Sequence, residues 1–598
     1  MKLGLQLSLL STVALNSIVI FNSSPVLSLD FTSGILDTRI TFSRPSLATM
    51  YDSTGKLTYC PNNLLIYSAD FTQANWTKTN VSISGSTMTA SAGNAAHRTS
   101  QNITVGTANY IFSVEAAAGT ARYMQIYNGA NTELYANFDL QTGTVGTAGT
   151  NTTASITDLG SGRYRCTAFW GGQLANGNNL IAFSSSSSAA WGPTVNAAGT
   201  ETLTLYVAYL SAVTYETASR GVDRQTTTSA AYYGPRFDYN PSTLAARGLL
   251  IEEARTNSSL YSEDLSNAWW TKTGASVSGG NTAPDGTSNA YKLVEDTANS
   301  PHYIGRLAVV PATVSTVYTM SLYVKTAGRS RARFYIYGFN NYTGFLDFST
   351  KSVVSYTGGT SPTVTFTDIN NGYIRVTITD TATFAELQFD GIYLVSTGTT
   401  FFYTGDGTSG MILWGLSREA GSFATSYIPT GSSSVARSAD TAYMGGTNFS
   451  SWYNQSEGTI LAQYMFEGTP SAYPPVYSIS DNAGFGANHI RVVKETRTNS
   501  ASADMYSGGV AQASWTTTNT TTPFVPSKAA FAYKVNDTIT SYNGVNNTAD
   551  ASCAVPVAPT YLNFGGYKSD AATGCLWIQS FSYYRSRLPN SRLQALTT

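Results

Sequence analysis

The sequence predicts an all-β chain of tandem antiparallel sandwiches, and three observations predict it. A domain-sized unit occurs twice: Tyr67-Ser68-Ala69-Asp70-Phe71-Thr72-Gln73-Ala74-Asn75-Trp76-Thr77-Lys78-Thr79 returns as Tyr261-Ser262-Glu263-Asp264-Leu265-Ser266-Asn267-Ala268-Trp269-Trp270-Thr271-Lys272-Thr273. A repeat of that period is one module used twice. Apolar residues alternate with polar ones in short runs, and turn residues punctuate them every ten or so positions, the rhythm of strands. Only 12% of the 598 residues are charged, against 52 Gly and 39 Tyr, a composition that favours strands and tight turns over helices.

Taken in order, the chain opens with Leu3, Leu5, Leu7 and Leu9 alternating with Gly4, Gln6 and Ser8. That is a strand period, not the apolar helix of a signal segment. Residues 1–62 are therefore expected to form an N-terminal arm that docks by strand addition. The first module spans 63–220 and the second 257–431. Tyr110-Ile111-Phe112-Ser113-Val114 matches Tyr318-Thr319-Met320-Ser321-Leu322, and both run into a glycine turn, at Gly119 and Gly328. The hairpin of Asp139–Val145 matches Asp347–Val353, and Gly162-Arg163-Tyr164-Arg165 matches Gly372-Tyr373-Ile374-Arg375. Leu205–Ser211 matches Ile412–Ser417. Residues 221–256 link the copies. Pro235 and Pro241 flank Phe237 and Tyr239, and Leu249-Leu250-Ile251 runs into Glu252-Glu253 and Arg255, so an ordered connector lying across a domain is expected, its charges either solvated or salt-bridged. After Ser432-Ser433-Ser434, residues 432–598 alternate again and predict a third sandwich.

Charge narrows the function. A net charge of −1 without a basic run gives no electrostatic purchase on nucleic acid. No apolar stretch has the length and continuity of a bilayer span. The four cysteines form no C-x-x-C pair, so a zinc knuckle is not expected. Cys553 and Cys575 either meet across neighbouring strands or stay as thiols. Asp481 and Asn482 have the chemistry for calcium, but a turn explains them equally well, and no cofactor is expected.

Catalytic signals are sparse. The histidines are His97, His302 and His489, far apart in sequence, and neither a G-x-S-x-G elbow nor a phosphate-binding glycine loop is present. Asp158 and Asp368 recur in both copies, each ahead of a glycine turn, where Asp bonds to backbone amides. The chain is expected not to be an enzyme.

Sugar binding asks for aromatic faces beside hydrogen-bonding groups. The repeated Trp76 and Trp270 belong in the core by their shared position. Trp269 has no counterpart, since Asn75 occupies its place, and should point away from Trp270. Trp191 lies in a Ser-rich loop, and Phe402, Tyr403 and Asp406 fall in the corresponding loop of the second copy. Loops at sandwich rims are where ligand sites are built. These five residues are the candidate glycan site.

Several of these strings resemble a known group. Leu29-Asp30-Phe31-Thr32-Ser33-Gly34 with Arg39–Pro45, then Pro235–Tyr239, Gly248–Asn257 and Tyr261-Ser262-Glu263-Asp264, are similar to successive blocks of bacteriophage tail-fibre and head-fibre proteins. Trp414-Gly415 with Ala424–Thr430 resembles the segment that closes their modules. The resemblance implies two carbohydrate-binding-module-like jelly rolls. Glu457-Gly458-Thr459-Ile460 and Tyr583–Pro589 resemble the opening and closing of a concanavalin-like (laminin-G-like) sandwich. It further implies a place on the virion, contacts with other virion proteins, sister subunits in a homotrimer, and adhesion to host-surface polysaccharide without membrane insertion. A purely structural appendage protein fits the same residues. A polysaccharide depolymerase fits less well, because no short β-helix repeat is present.

Overall fold

The computed structural model describes residues 24–104, 108–171, 177–214, 224–306, 310–468, 473–481, 487–494, 500–517, 522–567 and 574–598. The alternating Leu3–Leu9 segment and Asn482 lie outside them. Nearly all the structure is antiparallel sheet, arranged as three sandwiches.

The two copies have the same topology, strand for strand. In the first, one sheet runs Thr144–Ala148, Tyr135–Asp139, Tyr123–Asn128, Gly177–Ser184, Arg98–Ile103, Thr77–Thr79. Its partner sheet runs Thr152–Asp158, Arg163–Trp170, Asn109–Ala118, Thr202–Val213, Thr87–Ala90, Val81–Ser84. In the second, the matching orders are Ser352–Thr357, Tyr342–Asp347, Arg331–Tyr337, Glu386–Val395, Tyr303–Gly305, Thr271–Thr273 and Thr363–Asp368, Ile374–Thr381, Val317–Ala327, Gly410–Ala420, Ala290–Glu295, Ala275–Asn281. Alternate residues fill each core: Phe112, Val114, Met124, Ile126 and Phe138 in one, Met320, Leu322, Phe334, Ile336 and Leu346 in the other.

The repeated signature is scaffold in both. The Trp76 and Trp270 indoles are buried, and each Nε1 donates to the carbonyl nine residues back, Tyr67 at 3.0 Å and Tyr261 at 3.1 Å. Those tyrosines sit at φ 47° and 48°, a left-handed conformation that a non-glycine residue holds only where packing enforces it. Asp70 caps the turn by accepting from the amide and hydroxyl of Thr72, and Asp264 does the same for Ser266. Asn63 and Asn257, both fully buried, accept from Leu210 N and Arg418 N and so tie each module's entry to its last long strand.

Segments expected to lie outside the sandwiches complete the third one. Leu27–Asp30 pairs with Phe581 and its neighbours on Cys575–Tyr584, while Leu249–Glu252 of the connector occupies the rest of the same edge. Thr41–Ser43 extends the opposite sheet through Thr441–Gly445. Leu27, Leu29, Phe31, Ile40, Leu249 and Ile251 enter one core with Ile460, Phe531, Leu562 and Phe581. Residues 27–43 and 236–252 are thus strands of the C-terminal sandwich rather than a separate arm and linker. Such long-range pairing leaves no local mark in sequence.

A buried ionic cluster joins these parts. Arg44 meets Asp440 at 2.8 Å, Arg236 bridges Asp440 and Glu252, and Arg437 also binds Glu252. Ser426, from the end of the second module, donates to Glu252 at 2.7 Å. Burial alone would raise the Glu252 carboxyl, but the Arg236 and Arg437 guanidiniums hold it well below the usual range. Removing one partner of such a set leaves an uncompensated buried charge, at a cost of about 3–5 kcal/mol. All four cysteines are free and buried.

Candidate functional site

A cavity of about 440 Å³ lies between the two modules. The first module contributes Asn109, Val213 and Thr214, and the N-terminal hairpin contributes Leu57 and Tyr59. The second module contributes the rest: Tyr261, Glu263, Asp285, Asn289, Tyr291 and Trp414 among them.

Three local features of the second copy build this wall. Glu263 stands in the capped turn where the first copy has Ala69. The hairpin between Ala275–Asn281 and Ala290–Glu295 carries an eight-residue loop, 282–289, where the first copy turns tightly from Val81–Ser84 into Thr87–Ala90. Trp414 comes from the long strand just before Gly415, whose φ of 67° bends it. Leu57 N donates to Pro284 O at 3.2 Å, pinning the loop against the N-terminal hairpin.

Hydrogen bonds link these groups. Trp414 Nε1 donates to Asn289 Oδ1 at 2.8 Å, which fixes the amide so that its Nδ2 donates to Glu263 Oε2 at 3.1 Å. The Thr287 hydroxyl lies 2.6 Å from Asn289 Oδ1 and 2.7 Å from Asp285 Oδ1. The one proton of that hydroxyl is shared between two acceptors, and Thr287 N also donates to Asp285 Oδ1, at 2.9 Å. Burial, with the neighbouring Asp285 charge added, pushes the Glu263 carboxyl up to about 8, and burial pushes Asp285 up as well. At neutral pH Glu263 holds a proton and can donate it, whereas Asp285, pushed up only to about 6, accepts. Tyr291 OH donates to Asp264 at 3.2 Å, placing a half-buried ring beside them.

The five residues expected from sequence lie elsewhere. Trp191 packs edge-on against Tyr127 at 5.6 Å, its Nε1 donating to Asn128 O at 2.9 Å. Trp269 is half-buried against the core that holds Trp270, with the Arg306 guanidinium 3.5 Å from its ring centre. Phe402, Tyr403 and Asp406 stay together at one rim. There Tyr403 OH donates to Glu295 at 2.7 Å, Arg329 binds Glu295, and Asp406 Oδ1 caps the amides of Thr408 and Ser409. Phe402 is open, at 57% exposure, and Asp406 is exposed too, but the polar groups of this rim are occupied by one another. Asp158 caps Gly160 N at 2.7 Å, whereas Asp368 pairs with Lys351 at 2.6 Å. His97 and His302 are buried and hold main-chain carbonyls: Nδ1 of His97 meets Asn80 O, and Nε2 of His302 meets Tyr403 O. His489 binds Asp504 at 2.7 Å.

Glu263, Asp285 and Asn289 were missed because the string around Glu263 reads as repeat scaffold. The signal was the mismatch inside that string, Ala69 against Glu263, and the longer second hairpin.

No protein-family description matches the sequence. No curated protein matches it either. Among solved structures, the Ruminococcus gnavus IT-sialidase CBM40 bound to α2,6-sialyllactose shares 14% identity over 24% of this chain and 84% of its own, with a TM-score of 0.22. The NanB sialidase from Streptococcus pneumoniae shares 10% identity over 26% of each chain, with a TM-score of 0.21. Trypanosoma rangeli sialidase in complex with sialic acid shares 10% identity over 93% of this chain and 98% of its own, also with a TM-score of 0.21. Likeness at that level aligns no site and assigns no ligand.

Proposed function

We propose that this chain is a non-catalytic component of a phage virion appendage that holds host-surface glycans in the cleft between its two modules. The cleft carries the reading. Aromatic rings, an amide, a protonated carboxyl and an ionised one share one cavity, and a sugar offers the complements, an apolar ring face and a rim of hydroxyls. The virion setting rests on the resemblance of the Asp30-Phe31, Phe237-Asp238-Tyr239 and Tyr261–Asp264 strings to tail-fibre and head-fibre proteins. One shallow cleft per chain binds weakly. Sister subunits in a trimer raise the overall affinity through effective concentration.

The test is binding of the full-length oligomer to a panel of neutral glycans, with Asn289→Ala and Tyr291→Ala beside the wild type. Each lost contact is expected to weaken binding about tenfold, roughly 1.4 kcal/mol. Glycan binding that both variants retain in full would falsify the cleft as the site.

One observation favours a second reading, glycoside hydrolysis. A raised carboxyl beside a second carboxyl is the arrangement from which general acids are made. Polysaccharide shortened by the wild type and left intact by Glu263→Gln would establish that reading; unchanged polymer length with both leaves binding alone.

A further inference from the structure

The outer face of the second module's sheet carries a line of side chains that the cleft does not use. Tyr303, Tyr393, Arg333 and Phe345 stand in register on four neighbouring strands. Their neighbours Ala332, Phe334 and Ile336 point into the core, so these four point away from it. At ordinary inter-strand spacing the line is about 14 Å long. Tyr303 and Tyr393 stack at 4.3 Å and 22°, and Phe401 closes one side, 5.8 Å from Tyr393. The Arg333 guanidinium lies among Phe401, Tyr393 and Tyr335, at 4.4, 4.6 and 5.2 Å from their centres.

Arg333 is unlike its neighbours. Arg331 pairs with Asp347 and Arg329 with Glu295. Arg333 Nε is buried with no hydrogen-bond partner, and no carboxylate pairs with its guanidinium among the described residues. A half-buried cation without an anion is costly unless a ligand supplies one.

The first copy shows what normally covers this face. The register equivalents of Arg333 and Phe345 are Gln125 and Asn137. They bond to each other at 3.0 Å and to Ala190 O and Ala189 O of the loop that lies over them. That loop, 185–194, has ten residues, while its counterpart in the second copy, 396–401, has six. The first face is closed by its own chain, whereas the shorter loop covers the second only in part, through Phe401.

We infer that the Tyr303–Tyr393–Arg333–Phe345 face is a second glycan site, distinct from the cleft, and that it takes a carboxylate-bearing saccharide. The carboxylate pairs with the planar Arg333 guanidinium while sugar rings lie on the tyrosines. An anion on a sugar meets both features, whereas a neutral sugar leaves the guanidinium unpaired.

The experiment titrates the full chain with oligogalacturonate and, as the neutral arm, with a galacto-oligosaccharide of the same length. The proposal expects the acidic sugar to bind, with an affinity that falls as salt rises. Arg333→Gln should lose tenfold or more of it without a fall in melting temperature. Arg333→Lys should recover part of that loss, and Arg331→Gln should show none of it. Neutral-sugar binding that Arg333→Gln weakens as much as acidic binding, or undiminished oligogalacturonate binding by a folded Arg333→Gln, overturns it. Should Arg333→Gln unfold, Tyr393→Ala reads the same face, and unchanged binding there overturns the proposal too. Loss of binding only in Asn289→Ala would place the acidic sugar in the cleft and also overturn it.

Discussion

The first and second modules share strand order, capped turn, buried tryptophan and asparagine tie, yet the same surfaces in them do different things. On one sheet of the first copy, Glu115 holds Arg163 and Arg165, and Arg163 lies 4.2 Å over Tyr206, with its side chain 36% exposed. At the register equivalents, the second copy has Tyr323, Tyr373 and Arg375, packed with Trp414 and Tyr427 and covered by the N-terminal hairpin, whose Tyr51 OH meets Tyr323 OH at 2.9 Å. On the opposite sheet the order reverses: the first copy is covered by its loop and the second is half-covered. The turn with Glu263 lines the cavity between the modules, and the turn with Ala69 does not. A shared fold therefore gives the framework, and the unshared side chains give each face its chemistry.

The largest effects should fall on what the copies share. Trp76→Ala and Trp270→Ala remove equally placed, buried indoles, so each should cost about 3–5 kcal/mol in urea unfolding of the full chain. A tryptophan whose removal weakened glycan binding while leaving stability intact would break the equivalence.

A smaller effect belongs to the second copy alone. Glu263 has a folded pKa of about 8 against an ordinary value of 4.5, so the folded state holds a proton that the unfolded state has already released. Its contribution is fully present below about pH 4.5 and is lost as pH rises through 8. Glu263→Gln should abolish that decline and be more stable than the wild type at pH 8, by on the order of 1–3 kcal/mol. Melting temperatures of the two proteins across pH 4 to 9 read this directly. Parallel curves would mean that the carboxyl is ionised throughout.

The smallest expected change is at Trp269. Trp269→Ala gives up a half-buried ring and its stacking with Arg306, about 1–2 kcal/mol, and should leave glycan affinity unmoved. A drop in affinity on glycan titration would return the site to the loops around that residue.

Much of the framework was legible in sequence, because it is written locally. Alternation marks the strands, and the shared position of Trp76 and Trp270 marks them as core. Leu27–Asp30 and Leu249–Glu252 could not be placed, since their partner, Cys575–Tyr584, lies hundreds of residues away and pairing leaves no periodic trace. The site was half legible. Differences between copies point to it, and Asn75 against Trp269 is one such difference. The more consequential one, Ala69 against Glu263, sits within a recognisable motif, and its chemistry appears only once loop 282–289 and Trp414 fold against it. Aromatic residues in rim loops are a weak guide, because Trp191 and Tyr403 find internal partners that sequence does not reveal.

Hydrogen–deuterium exchange of the full-length oligomer, with and without a saturating neutral glycan, tests most directly whether function lies where the copies differ. The account predicts protection of 261–264 and 282–291 in the second module, with none at the matching 67–70 and 84–90 of the first. Equal protection of both copies, or protection confined to the loops around Trp191 and Phe402, would contradict it.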